Sequence, residues 1–121
     1  MTALPEHTPA HSAPDITSHR LSDMTKGWFV GDFLPVAHAS TDCEVAIKHY
    51  RAGDYEARHH HRIATEVTAI VAGRARMAGR EWGEGDIITI PPGFSTDFEA
   101  LSDVITVVVK TPSAKGDKYD G

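Results

Sequence analysis

From position 28 to position 111 the chain alternates short apolar runs with polar breaks, and the runs show the two-residue period of β-strands. They are rich in Val, Ile, Thr and aromatic residues, and Gly or Pro interrupts them about every eight to twelve residues. No stretch keeps a 3.6-residue period long enough for a substantial helix. We predict strands at residues 28–34, 43–50, 55–61, 65–72, 74–77, 87–90, 96–101 and 104–111.

This pattern predicts an all-β protein, a small antiparallel β-barrel or jelly roll. Eight short strands within about ninety residues favour a closed barrel or sandwich, because an open sheet would leave unpaired edges. In the second strand, Val45, Ile47 and His49 share one face, whereas Glu44 and Lys48 share the other. We expect the face of Val45 and Ile47 to line the interior, with Thr68, Ile70 and Val107 on other strands.

The 121 residues are enough for one domain with a polar segment at each end. Residues 1–25 are rich in Pro, Ser, Thr and His without apolar periodicity, which is typical of a flexible arm. We place the barrel at residues 26–112 and a short, exposed polar tail at residues 113–121.

Charge and cysteine content narrow the function classes. A net charge of -5 has the wrong sign for a nucleic-acid or anionic-lipid partner. No apolar run approaches the 18 residues of a membrane span. Cys43 is the single cysteine, so no intramolecular disulfide forms, and the N-terminal region lacks the pattern of a signal peptide. We therefore expect a protein of the cytoplasm.

The chemistry is concentrated in the run RHHHR and the glutamate that follows it. On a strand, His59 and His61 lie roughly 6.6 Å apart and share a face with Tyr55, whereas His60 faces away. Glu66 follows a short connection and can lie beside His61 on the next antiparallel strand. Two imidazoles and one carboxylate suit a divalent Fe, Mn, Ni, Cu or Zn ion, among which affinity order alone does not select.

Glycines and prolines at fixed spacing frame this cluster in two blocks, GDYEARHHHRIATEVTAIVAG and GDIITIPPGFST. The two blocks resemble the two motifs of the cupin superfamily. The matching positions are Gly53, His59, His61, Glu66 and Gly73 in the first block, and Gly85, Pro91 and Gly93 in the second. The resemblance implies a double-stranded β-helix with a metal inside the mouth of the barrel, often as a homodimer.

One position departs from the family pattern. The second motif of the family has a fourth metal ligand, a histidine, where this chain has Thr96. A threonine hydroxyl is a poor ligand for these metals, so three recognisable donors remain. His49 is a candidate replacement if its face points inward. We expect His49, Thr68 and Thr96 to line the substrate pocket.

Three hypotheses for function remain open. In the first, His59, His61 and Glu66 hold a metal with free positions for a small-molecule substrate, as in a dioxygenase or isomerase. Glu66, Tyr50 and Tyr55 are then the candidate catalytic residues, with the tyrosines and Thr96 as proton donors. In the second, the barrel is a non-catalytic module that binds a sugar or a small acid. In the third, it resembles a metal-free sugar epimerase that uses histidine as a base.

Overall fold

A computed structural model of the protein describes residues 14–121, so the first thirteen residues of the expected arm lie outside the described part. Two short 3-10 turns, Leu21–Asp23 and Thr25–Gly27, precede the strands. The strands are β1 (Trp28–Gly31), β2 (His38–Ala39), β3 (Glu44–Tyr50), β4 (Tyr55–His60), β5 (Thr65–Ala72), β6 (Arg74–Met77), β7 (Arg80–Gly83), β8 (Ile87–Ile90), β9 (Thr96–Ala100), β10 (Val104–Thr111) and β11 (Tyr119–Asp120). Within residues 14–121, no helix has the length and hydropathy needed to cross a bilayer.

Two sheets form the barrel. One has six strands in the order β2-β1-β3-β10-β5-β8, and the other has five in the order β11-β4-β9-β6-β7. Every neighbouring pair is antiparallel except β1 with β2. The predicted all-β barrel of the jelly-roll type is confirmed. Four of the eight predicted strands, β5, β6, β8 and β10, have the predicted bounds, and β2, β7 and β11 were not predicted.

The hydrophobic core packs between the two sheets. It consists of Ile70, Ala75, Met77, Ile88, Ile90, Phe98, Ala100 and Val104. Three of these side chains, Met77, Ile90 and Phe98, also line a cavity. The apolar core therefore forms part of the wall of that cavity.

Gly73 permits the tight connection between β5 and β6. Its φ is +88°, which side chains disfavour, and a Cβ there would lie 2.0 Å from the carbonyl oxygen of Asp103. The close approach leaves no room for any other residue.

The segment expected to be an exposed polar tail is instead built into the barrel. Ser113 and Asp117 are buried, and β11 pairs with β4 beside the histidine run. At the other end, Met24 is buried within the stretch that we placed in the arm. Polar composition did not indicate the contacts of residues 113–121, because hydrogen bonds of Ser113 and Asp117 and the stacking of Tyr119 on His60 hold this segment in place of an apolar run.

Candidate functional site

A β-bulge in β4 decides which side chains of this strand enter the cavity. Glu56 pairs with Phe98 and His59 pairs with Thr96, so three steps along β4 match two steps along β9. Because of the extra residue, the inward-pointing side chain is Glu56 before the bulge and His59 after it. Phe98 and Thr96 are both buried, so they mark the inner face of β9.

The expectation that Tyr55 shares the face of His59 is therefore wrong. Tyr55 is 60% exposed, and its hydroxyl donates to the Asp97 carboxylate over 2.9 Å. It is absent from the cavity lining, whereas Glu56, the next residue along β4, is present there.

The three expected metal-binding side chains come together in the wall of the cavity. One donor atom from each of His59, His61 and Glu66 lies within 4.8 Å of the other two. The His61 Nε2 and Glu66 Oε1 atoms are 3.8 Å apart, and the two imidazole centres are 5.2 Å apart. Metal bonds of about 2.0–2.2 Å allow two donors on one ion to be at most about 4.4 Å apart. The 3.8 Å between His61 Nε2 and Glu66 Oε1 therefore suits a shared ion.

Neighbouring groups hold two of the three donors in the state that a metal requires. His59 Nδ1 lies 3.0 Å from the Ala57 carbonyl, which only accepts, so Nδ1 is the donor in this contact and Nε2 is the ring nitrogen left for a metal. The Thr68 hydroxyl donates to Glu66 Oε2 over 2.9 Å, which leaves Oε1 directed towards His61. Such outer contacts orient the ligands of metal sites.

His61 supplies the observation that tests the fit. Its Nε2 atom is buried and has no hydrogen-bond partner among the described residues. A buried polar atom without a partner is costly unless it binds something else. Burial, with the Lys110 ammonium, holds the pKa of His61 below its ordinary value of 6.5, so the ring is neutral at pH 7. A neutral imidazole, a second neutral imidazole and a carboxylate fit a first-row divalent metal.

The cavity behind this cluster has a volume of about 170 Å³. Its walls carry the aromatic rings of Trp28, Phe94 and Phe98 together with several charged side chains. Two of the three expected pocket residues, Thr68 and Thr96, line it. The third, His49, is exposed on the outside of the barrel, where it lines a shallow groove with Met24 and Ile47.

The inward face of β3 is the opposite of the one expected. Glu44 and Ala46 are buried, and Lys48 and Tyr50 line the cavity. Val45, Ile47 and Val107 are absent from the cavity lining. Ile47 lines the outer groove together with Met24, so its apolar side chain has a place outside the cavity. For this reason the alternation along β3 indicated the wrong inward face.

Solved structures with the same architecture give this arrangement a context. A double-stranded β-helix protein from Klebsiella pneumoniae is 24% identical, with 64% of this chain and 73% of that chain covered and a TM-score of 0.59. A cupin protein from Bacteroides fragilis is 22% identical over 62% of this chain and 70% of that chain, with a TM-score of 0.52. The protein has the cupin fold.

A third similar structure is the DMSP lyase DddQ from Ruegeria pomeroyi, which is 21% identical with a TM-score of 0.64. The alignment covers 77% of this chain and 49% of that enzyme, so the cupin barrel corresponds to about half of the enzyme's length. No protein-family model matches this chain. No curated protein sequence matches it either.

Thr96, at the position of the fourth cupin histidine, uses its hydroxyl within the fold. The hydroxyl accepts a hydrogen bond from the Ala78 amide over 2.7 Å and donates one to the Asp97 carbonyl over 2.8 Å. It therefore stabilises the barrel wall and has no free proton to donate. The expected roles of Thr96 as a proton donor and His49 as a replacement ligand are not supported by their positions.

Tyr50, the remaining candidate proton donor, does face the cavity of the cupin barrel. Its hydroxyl donates to Glu56 Oε2 over 3.0 Å, and Lys48 Nζ lies 3.4 Å from the same oxygen. Burial and the charge of Glu56 raise the pKa of Tyr50 well above its ordinary value of 10.0, so the phenol keeps its proton.

Asp117 supports the cluster and was missed by the sequence analysis. Its buried carboxylate accepts hydrogen bonds from the amides of Arg62, Ile63 and Ala64, at distances from 2.9 to 3.2 Å. These amides belong to the connection between His61 and Glu66. Burial raises the pKa of Asp117, but the three amide hydrogen bonds outweigh it and leave the pKa below its ordinary value of 3.8. No local signal marks an aspartate 51 residues after Glu66 as part of this site.

Proposed function

We propose that this cupin barrel binds one divalent transition-metal ion through His59, His61 and Glu66 and acts as an enzyme on a small molecule in the cavity. The buried, unpartnered Nε2 of His61 facing Glu66 is the observation that carries the proposal. When bound, the metal would supply Lewis-acid or redox chemistry at positions left open by three protein ligands.

The residues of the chain would bind and orient the substrate beside that centre. Tyr50 keeps its phenolic proton in the hydrogen bond to Glu56 Oε2, inside the cavity. Its hydroxyl oxygen would therefore orient a bound substrate by accepting a hydrogen bond from it. The rings of Trp28, Phe94 and Phe98 would exclude water from the parts of the cavity that they line. The similar Ruegeria protein is a DMSP lyase, and a small-molecule substrate for this chain agrees with that likeness.

The metal-free epimerase hypothesis has less support from the geometry. It requires a histidine base held by a carboxylate, but His61 Nε2 lies 3.8 Å from Glu66 Oε1, beyond hydrogen-bond distance. His59 is held by the Ala57 carbonyl and not by a carboxylate. A non-catalytic binding module is the remaining alternative, and substrate assays of the metal-loaded protein separate it from an enzyme.

Elemental analysis of the freshly purified protein tests the metal. We expect close to one equivalent of a first-row divalent ion, and Glu66→Gln should retain the fold but lose most of that metal. A wild type without metal that also fails to bind added Mn²⁺, Fe²⁺, Ni²⁺ or Zn²⁺ would overturn the proposal. If metal binds but a broad panel of small-molecule substrates is untouched by the loaded wild type, the binding-module alternative is favoured.

A further inference from the structure

Two lysines enter the cavity of a chain that is acidic overall. Lys48 on β3 and Lys110 on β10 both line the cavity, and their side chains are only 15% and 18% exposed. Their ammonium nitrogens lie 5.6 Å and 4.9 Å from the centre of the Trp28 ring, so both charges lie beside the same aromatic side chain. Burying an ammonium is costly, so two such groups in one cavity require an explanation.

Each lysine has an anionic neighbour but keeps donors to spare. Lys48 Nζ lies 3.4 Å from Glu56 Oε2, and Lys110 Nζ lies 3.2 Å from Glu44 Oε1. An ammonium group has three N–H donors, and within residues 14–121 each of the two has one ion-pair partner. Donors therefore remain for a further acceptor.

The cavity is richer in basic groups than the chain as a whole. Four lysines and three acidic residues line it, in a chain whose net charge is -5, and Glu44 pairs with one of these lysines. A divalent metal at the histidine cluster would add two positive charges to the same space. The attraction for an anion therefore comes from the spare ammonium donors and would be strengthened by the metal.

Thr106 is a second, independent sign of a ligand. It is 1% exposed and lines the cavity, and its hydroxyl has no hydrogen-bond partner among the described residues. It lies directly opposite Lys48 in the β3–β10 pair, while Lys110 lies opposite the metal-binding Glu66 in the β5–β10 pair. The unused hydroxyl therefore belongs to the same wall as the lysines and the cluster.

We propose that Lys48, Lys110 and Thr106 form a subsite that binds the carboxylate of a small organic acid beside the metal cluster. The ammonium groups bind the carboxylate oxygens, and the Thr106 hydroxyl binds a polar atom of the same molecule. The Trp28 ring, which lies beside both ammonium groups, packs on its carbon skeleton. This assignment rests on the proposed function for the role of the metal, but the anion subsite itself consists only of side chains of this chain.

Malonate and its uncharged analogue malonamide test the subsite by calorimetric titration of metal-free and Zn²⁺-loaded protein. We expect malonate to bind both forms, and malonamide to bind at least about tenfold more weakly because it lacks the charge. The variant Lys48→Met/Glu56→Gln removes the ion pair without leaving a buried unpaired charge, and it should bind malonate at least about tenfold more weakly.

Two further variants separate binding from folding. Lys115→Met/Asp32→Asn removes an ion pair on the surface, where Lys115 is 74% exposed, and it should leave malonate affinity unchanged. Thr106→Val removes only an unpartnered hydroxyl, so it should weaken malonate binding while the melting temperature stays the same or rises.

The possible results distinguish the subsite from the metal proposal. Equal malonate affinity in wild type and in Lys48→Met/Glu56→Gln would overturn the subsite, and so would no binding to either protein form. Binding only to the Zn²⁺-loaded form, with no effect of the lysine variant, would overturn the subsite and leave the metal proposal standing. Lysine-dependent binding in a protein that takes up no metal would support the subsite and overturn the metal proposal.

Discussion

His61 Nε2 lies 3.8 Å from Glu66 Oε1, which is too far for a hydrogen bond and close enough for both atoms to bind one ion. The two side chains lie on opposite sides of a short connection, one after the end of β4 and one near the start of β5. The buried nitrogen has no other partner in the described part of the chain. Hydrogen bonds from the amides of the connection to Asp117 help to set this distance. The metal proposal depends on the distance.

Removing a ligand should abolish tight metal binding, whereas removing the central histidine of the run should not. We expect His61→Ala to lower metal affinity more than about 100-fold, since even losses around a ligand cost up to that factor. His60 is the matched control, because its ring stacks on Tyr119 and is outside the cluster. Competition with a metal-binding dye measures the metal affinity of both variants. Equal losses of affinity from His60→Ala and His61→Ala would contradict the assignment of His61, and not His60, as a ligand.

The hydrogen bond from Thr68 to Glu66 should contribute to metal affinity. Thr68→Val removes the donor at 2.9 Å and should weaken metal binding by about 10- to 100-fold with the ligands intact. Thr96→Val is the control, since that hydroxyl contacts Ala78 and Asp97 instead. It should lower the free energy of unfolding by about 1–3 kcal/mol, because the Ala78 amide loses its partner, without a change in metal affinity. The reverse pattern would mean that Thr96 and not Thr68 supports the metal site.

Asp117 should stabilise the protein in a pH-dependent way. Its folded-state pKa is below 3.8, so its contribution is present above that pH and is lost as pH falls through the folded-state pKa. Asp117→Asn should lower the free energy of unfolding at pH 7 by about 1–3 kcal/mol, since three amides share that acceptor. Urea unfolding between pH 3 and pH 7 should show the difference shrinking towards the acid end. A constant difference would exclude the ionised carboxylate as the cause.

Metal occupancy should fall in acid because imidazole ligands must be neutral. Burial and Lys110 lower the pKa of His61 below 6.5, so this ligand should stay available below that pH. Equilibrium dialysis from pH 8 to pH 4.5, followed by elemental analysis, should place the midpoint below pH 6.5. Occupancy that is unchanged down to pH 4.5 would argue against histidine ligands.

The two tyrosines expected to act in catalysis should behave differently. Tyr50→Phe removes the donor to Glu56 inside the cavity and should lower the free energy of unfolding by about 1–3 kcal/mol. Tyr55→Phe changes a side chain that is 60% exposed and should stay within about 0.5 kcal/mol of wild type. Urea denaturation of the two variants checks this, and a larger effect from Tyr55→Phe would place the bulge of β4 elsewhere.

The sequence by itself determined the fold class and indicated that His59, His61 and Glu66 come together. Strand β10 and its neighbour β5 were predicted with their bounds because period-two and continuous apolar patterns are local properties. The convergence of His59 and His61 is also local, since a spacing of two residues in extended chain brings both rings to one face. Gly73 marks a turn because its conformation excludes other residues.

Tertiary structure alone decided which face of β3 points inward, where β4 shifts its register and what holds residues 113–121. Alternation along β3 defines two faces but not which one meets the cavity. The outward face carries the apolar Ile47, which lines a groove with Met24, and we therefore predicted that face to point inward. The bulge that exchanges Tyr55 for Glu56 depends on pairing with β9, and the contacts of Asp117 join residues more than fifty positions apart. Such long-range pairing leaves no pattern in a single stretch of sequence.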